Sequence, residues 1–388
     1  MKIALFTDTY HPQTNGVVSY MDDAMGELAK RHEIVLFAPG ERPFRKERVS
    51  KNFSIYWIPS SPFPLYEGYR IASLNYRRVS RLLAAEKPDI VHAHAPVILG
   101  LQGVAAAKAT GIPVVITYHT HFPDYLPHLM KGKLPGVLKD VGEFTLKKMI
   151  KHSFKNADVV TAPTRELVKE LRSYGLRNVT LLPNGVLLEK LRTDAKRVAA
   201  FRNRYALGGK KVALYLGRVS FEKRLEVLLE AFGRVESKDA VLLIAGSGPH
   251  LAKLRQAAKA KGLGNVVFTG FLESADVGAA YAASDIFVSA SDTETFGLTF
   301  VEAMNAGLPL IGVNRLGAKE MVRDGKNGLL VEAGDATALA RAIDRLLGDA
   351  KLRQRMSKAA LRDAPNYSIA NSVRRTVLIY RRLLRKGD

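Results

Sequence analysis

Short apolar runs alternate with stretches of helical periodicity along the whole chain. Runs at 3–7 (IALFT), 33–39 (EIVLFAP), 54–59 (SIYWIP), 89–94 (DIVHAH) and 113–122 (PVVITYHTHF) read as strands, followed by 157–164 and 178–186. Such compact apolar runs mark strands buried on both faces of a parallel sheet. Val18, Met21, Met25 and Leu28 recur at helical spacing and predict a helix from about Val17 to Lys30, after an Asn15-Gly16 turn. Pro183-Asn184-Gly185 breaks the pattern, which then restarts. Strands are expected in 211–217, 241–249, 265–272, 286–288, 307–312 and 328–331, and helices at 224–235, 336–347 and 350–361, with a last helix at 368–386. Strand–helix alternation at this spacing predicts two α/β halves, each a doubly wound parallel sheet.

Composition changes this picture at one point. The 388 residues suit two domains, and 47% apolar with 25% charged residues is ordinary for globular protein. The absence of cysteine excludes disulfides, thiolate metal sites and a cysteine nucleophile, and fits a reducing compartment. The charge is not ordinary: 59 Lys and Arg against 37 Asp and Glu give +22. Nucleic acid, an anionic membrane surface and plain basic solubility compete to explain it. The opening MKIALFTDTY reads as strand and turn, without the features of a signal peptide, and no apolar run is long enough to span a bilayer. The expectation is a cytoplasmic protein, soluble or peripheral on the inner face of the cell membrane.

Segment 131–155 concentrates the charge. Apolar residues at 134, 137, 138, 141, 144, 149, 150 and 154 lie near helical spacing, and seven lysines face two acids, Asp140 and Glu143. A basic amphipathic helix is an interfacial membrane element, or a surface helix whose stripe packs on its own domain. The chain's overall charge favours the membrane. The last helix is also basic, but it carries a single aromatic, Tyr380, and no nucleic-acid-binding motif, so nucleic acid is not expected as a partner.

The chemistry gathers at 286–305, IFVSASDTETFGLTFVEAMN. A buried strand ends at Val288, a polar turn follows, and a helix starts near Gly297 and Leu298. Glu294 falls in the loop at the strand's carboxyl end, where ligands bind open parallel sheets, and Glu302 one to two turns into the helix. The free N–H groups of the helix start suit an anion, and Gly297 permits close approach to the backbone. Carboxylate, anion hole, carboxylate is a set suited to a nucleotide-sugar. Spacing alone favours a capping Glu294 and a solvated Glu302. Arg218 and Lys223, five apart in a turn, are ordinarily surface charges. His119 and His121 could chelate a metal or be plain structural histidines, and no nearby carboxylate or cysteine completes a metal site. No G-x-G-x-x-G follows the first strand, so a dinucleotide is not indicated.

SDTETFGLTFVEAMNAGLPLI (291–311) resembles the Glu–seven residues–Glu signature of the family-4 retaining glycosyltransferases, and the resemblance runs from the TDTYHP loop to the final helix. It implies two Rossmann-like domains facing across a cleft (the GT-B type). Residues 1–186 with 368–388 would form the acceptor side, and 187–367 would bind the nucleotide-sugar. It implies that Arg218 and Lys223, in GRVSFEK, clamp the diphosphate with N–H groups of Leu298 and Thr299, and that Glu302 bonds the ribose. Glu294, with the amides of Phe296 and Gly297, would position the sugar hydroxyls. The loops at Gly246 and at Phe271-Leu272 would hold the base. Gly16 would lie under the donor sugar and diphosphate, and His119, rather than His121, would approach the anomeric carbon. No metal and no separate cofactor are expected. The loop TYHTHFPDYL and the basic segment after it resemble the glycolipid-synthesising branch, the diacylglycerol glucosyltransferases and then the phosphatidylinositol mannosyltransferases. A hexose carried by UDP or GDP would then pass to a membrane lipid. A soluble acceptor, a polysaccharide intermediate and a nucleotide-sugar epimerase are the alternatives.

Overall fold

The computed structural model describes residues 1–13, 15–41, 43–63, 69–119, 121 and 136–385, with backbone alone at 136–143. The chain divides into two compact units, Met1–Gly185 with Ile369–Asp388, and Val186–Ser368.

Unit 1 carries strands β1 (Lys2–Thr7), β2 (Glu33–Gly40), β3 (Arg45–Ser50), β4 (Phe53–Pro62), β5 (Arg70–Ala72), β6 (Ile90–His94), β7 (Val114–Thr117), β8 (Val159–Ala162) and β9 (Val179–Leu181). They lie in the order β3-β4-β2-β1-β6-β7-β8-β9, with β5 also on β4. All neighbours are parallel except β3 and β5, which run antiparallel to β4. Neither was expected from the sequence. All six residues of β3 are exposed and show no apolar alternation, so backbone pairing with β4 and polar ties such as Trp57 Nε1–H to Glu47 and Lys46 to Glu86 make them a strand. The expected strands form because Ile3, Phe6, Ile34, Leu36, Val91 and Ile116 are fully buried between helices. Those helices are α1 (Gly16–Leu28), α2 (Tyr76–Glu86), α3 (Leu99–Ala109), α4 (Gly136–Phe154) and α5 (Arg165–Ser173). The chain leaves β1 toward β2 and later returns to β6 on its other side, so the topological switch point lies between β1 and β6.

Unit 2 is a six-stranded, wholly parallel sheet of β10 (Lys211–Leu216), β11 (Ala240–Ala245), β12 (Val266–Gly270), β13 (Ile286–Val288), β14 (Leu310–Val313) and β15 (Gly328–Val331). The order is β12-β11-β10-β13-β14-β15, which puts the switch between β10 and β13. Its helices are α6 (Ala195–Arg204), α7 (Leu225–Phe232), α8 (Leu251–Ala260), α9 (Ser274–Ala282), α10 (Leu298–Asn305), α11 (Leu316–Met321), α12 (Ala336–Gly348) and α13 (Ala350–Asp363). Leu228, Leu254 and Ile343 fill one face of the sheet, and Phe201, Tyr281, Phe300 and Met304 the other. Helices on both faces explain the near-continuous apolar strands.

Helix α14 (Ile369–Leu384) belongs to unit 1 and packs on α1, with Tyr380 fully buried. Among the described residues no helix is long and apolar enough to cross a membrane. Of the basic segment, 131–135 lies outside the described residues. Further along α4, Ile150 and Phe154 are buried, while Phe144 and Met149 are each 57% exposed. The apolar stripe is thus divided between the unit's core and the surface.

Candidate active site

Unit 2 collects its polar residues at the carboxyl ends of β10 and β13, the position open parallel sheets use for ligands. Arg218 follows β10 at Gly217, and a 3₁₀ turn, Phe221–Lys223, carries Lys223 back over the sheet edge. Glu294 stands in the loop after β13. Lys223 Nζ lies 2.7 Å from Glu294 Oε1, with both side chains at least 80% buried. A second tie between the same loops joins Arg224 Nε to Asp292 Oδ1 at 3.4 Å. From behind, Gly317 N–H donates to Glu294 O at 2.6 Å, so α11 fixes the loop that carries the carboxylate.

Gly297, in the left-handed region at φ 83°, starts α10. No side chain of the N-cap residue closes this helix, and its first turn holds no acid, so the positive end of the dipole is left for an external anion. One turn on, Glu302 Oε2 accepts a 2.7 Å hydrogen bond from Tyr281 Oη of α9. Burial, with the Glu302 charge behind it, holds the Tyr281 phenol well above its ordinary range, so it stays a donor. Phe296 is 2% exposed and its ring is core, so only its backbone is available to a ligand. Leu298 and Thr299 are half-buried at the helix start.

The neighbouring loops are packed backbone to backbone. Gly246 N–H donates to Gly270 O at 2.9 Å, and a Cβ on Gly246 would fall 1.9 Å from Gly217 O. Gly246 is therefore required by loop packing, whatever else it touches. Beyond it, Phe271 is 62% exposed at the sheet edge, and Leu272 packs on the core.

Unit 1 arranges its own carboxyl edge differently. Gly16 is the first residue of α1, and Asn15 Oδ1 accepts from the N–H groups of Val17 and Val18. Asp8, 3% exposed, accepts from the backbone N–H groups of Val97, Ile98, Leu99 and Gly100 at 2.7–3.0 Å. The chain's own carboxylate thus occupies the start of α3. His119 lies just past β7, with Nε2 at 2.8 Å from His94 Nδ1. His121 instead meets Glu170 Oε1 at 2.8 Å. The two histidines engage different partners and do not converge. Burial, and secondarily His94, keeps the pKa of His119 well below the ordinary value, and burial brings His94 down to about 3, so both rings are neutral. Among the described residues no group of three or more His, Asp or Glu side chains is arranged to hold a metal ion.

Residues 14–190 match the description Glycosyltransferase Family 4, and residues 198–363 match Glycosyl transferases group 1. The alpha-monoglucosyldiacylglycerol synthase of Streptococcus pneumoniae is 32% identical over 85% of this chain and 75% of its own length. The chain is a family-4 glycosyltransferase. A GDP-mannose-dependent alpha-mannosyltransferase of Mycobacterium tuberculosis is 28% identical over 93% of this chain and 91% of its own. In structure the enzyme resembles Anabaena Alr3699/HepE in complex with UDP, with a TM-score of 0.77, 18% identity, and 98% and 99% of the two chains covered. The fold is the GT-B type, and the family retains anomeric configuration.

The structure brings Lys223 and Glu294 into contact and sets Arg218, Leu298, Thr299 and Glu302 on elements at one sheet edge. Sequence reasoning did not find Tyr281, Asp8 or His94. The repeated histidine of DIVHAH and the acid of TDTYHP were visible, but their partners are distant in sequence.

Proposed function

We propose that the enzyme transfers a hexose from a UDP- or GDP-linked donor to a hydroxyl of a membrane lipid such as diacylglycerol, at the inner face of the cell membrane. The Lys223–Glu294 pair beside the uncapped start of α10 carries the reading of a nucleotide-sugar. The lipid acceptor is supported by the name of the pneumococcal relative and by the surface of α4, where Phe144 and Met149 stand exposed among Lys147, Lys148 and Lys151.

In this scheme unit 2 holds the donor. As the bond from the anomeric carbon to the phosphate oxygen lengthens, negative charge grows on the diphosphate. Arg218, Lys223 and the N–H groups of Leu298 and Thr299 meet that charge. Lys223 is already held by Glu294, so little side-chain freedom is lost in aiming it. Glu294 and the amides of Phe296 and Gly297 orient the sugar hydroxyls, Glu302 bonds the ribose, and the loops at Gly246 and Phe271-Leu272 carry the base. Unit 1 supplies His119 and the loop at Gly16 to substrate hydroxyls. The acceptor oxygen bonds the anomeric carbon on the face the diphosphate leaves, and its proton passes to the departing phosphate oxygen. Configuration is thereby retained.

The test is donor turnover. UDP-glucose and GDP-mannose are each offered with and without anionic liposomes containing diacylglycerol, and glycolipid and free nucleotide are measured. Glycolipid formed with one donor, and only with liposomes, is the expected result. Equal donor consumption without liposomes would overturn the lipid acceptor in favour of a soluble acceptor or epimerisation.

A further inference from the structure

Three histidines cluster at the carboxyl edge of unit 1, and one ring nitrogen among them stands apart. His92 is engaged at both nitrogens: Nδ1 lies 2.6 Å from Tyr380 Oη of α14, and Nε2 lies 2.6 Å from Thr117 Oγ1. Thr117 Oγ1 is in turn 2.7 Å from Thr161 Oγ1 on β8. His94 stacks beside His92 with ring centroids 4.0 Å apart, and its Nδ1 meets His119 Nε2. Of the two nitrogens left, His94 Nε2 and His119 Nδ1, it is His119 Nδ1 that is fully buried without a hydrogen-bond partner, in a residue that is 3% exposed. A buried polar atom left unpaired is uncommon, and where it persists it calls for a functional account.

The backbone explains why the pair is so placed. His94 ends β6, in register with Thr7 of β1 on one side and Thr117 of β7 on the other. It therefore sits beside the β1/β6 switch point, where ligands of parallel sheets bind. Tyr20 of α1 closes over both rings, with centroids 5.4 Å from His119 and 6.3 Å from His94. His94 stacks on the His119 ring at 5.1 Å, so the pair and Tyr20 together set its orientation.

We propose that His94 is a positioning residue for transfer: by engaging Nε2 of His119 it fixes Nδ1 as the ring atom presented to a substrate hydroxyl. One proton lies on the shared axis. When His119 carries it on Nε2, its Nδ1 is a lone pair that accepts from a hydroxyl. When His94 carries it, His119 Nδ1–H donates to the hydroxyl oxygen. In either arrangement Nε2 is taken and Nδ1 is the contact. Without His94 the ring can flip or change tautomer, and the contact atom is no longer specified.

This inference rests on the reading of His119 as a substrate-binding residue, and the experiment separates the two. Transfer kinetics are compared for wild type, His119→Ala, His94→Asn, His94→Gln and the His94→Gln/His119→Ala pair, with melting temperatures as a check on folding. An Asn amide stands where Nδ1 of His94 stood, whereas a Gln amide stands one carbon farther out. The expected result is a drop of about tenfold in kcat for His94→Gln with donor KM within about twofold, most of it restored in His94→Asn, and no further loss when His94→Gln is added to His119→Ala. Unchanged turnover in His119→Ala would overturn the role of His119 itself. A large loss in His119→Ala beside wild-type rates in His94→Gln would overturn only the positioning role, as would equal losses in His94→Asn and His94→Gln or additive losses in the pair. Long-range proton–nitrogen spectra of histidine-labelled enzyme give a reading independent of rate. A shared proton between the two rings in wild type supports the proposal, and its absence overturns it.

Discussion

A single hydroxyl holds Glu302, the carboxylate proposed to bond the ribose. Tyr281 donates to Glu302 at 2.7 Å, with Thr299 O a longer acceptor at 3.3 Å, from a fully buried ring, so Tyr281→Phe keeps the packing and removes only the contacts of that hydroxyl. A hydrogen bond to a charged group contributes about 1.5–3 kcal/mol. Donor KM is expected to rise about tenfold with kcat nearly unchanged, and the preference for ribose over 2′- and 3′-deoxyribose donors to fall. Unchanged KM and preference would remove Glu302 from the ribose. Glu294, Glu302, Arg218 and Lys223 were legible because they fall in two contiguous stretches at strand–helix junctions, where local sequence implies local geometry. Tyr281 was not, since in GAAYAAS it reads as one more core ring and its partner is 21 residues away. His94 was seen only as a strand residue, because the ring it meets lies just past another strand, 25 residues on.

Helix starts differ between the two units. Both α3 and α10 open at a sheet's carboxyl edge. Four N–H groups at the start of α3 are spent on Asp8, while α10 has neither an N-cap side chain nor a first-turn acid, which suits the outside anion proposed for it. Such an assignment is beyond sequence reading, because Asp8 and its partners are some 90 residues apart. Charge also joins elements in unit 1. Glu86 at the end of α2 receives Lys2 of β1, Lys46 of β3 and Tyr56 of β4 at 2.5–2.7 Å. Burial alone would raise its carboxyl, but the hydrogen bonds from Lys2, Lys46 and Tyr56 prevail and bring it down to about 2. The folded pKa lies below the unfolded value, so the stabilisation is full above pH 4.5 and is lost as pH falls toward 2. Glu86→Gln is expected to melt below wild type at pH 7, with the gap narrowing as pH drops below 4.5. A constant gap in thermal melts would show that the network stabilises through packing alone. The network also accounts for β3, whose charged, exposed residues escape any hydrophobic pattern yet suit a guarded sheet edge.

At the scale of the whole molecule, in the proposed docking on a membrane the +22 charge would act as a long-range attraction to anionic lipid, while Phe144 and Met149 would supply the apolar contact. Exchanging both for serine is expected to weaken partition into anionic vesicles by about tenfold or more, from the apolar area that each side chain would bury. Raised salt should weaken wild-type binding as well. Vesicle sedimentation measures both, and unchanged partition of the variant would move the contact elsewhere on the surface. The division into two α/β halves was legible because strand–helix alternation is local and repeats. That α14 completes unit 1 follows from tertiary packing, and only the family resemblance anticipated it.

That discontinuity has a consequence for biosynthesis. A ribosome delivers β1 to β9 first, yet the ring that holds His92 and the helix that covers α1 arrive only after all of unit 2. At roughly 5–20 residues per second the delay is on the order of 10–40 s. Through that interval the nascent first unit keeps an apolar groove open along Tyr20, Met21 and Met25. The second unit, encoded without interruption, can close before the first is finished.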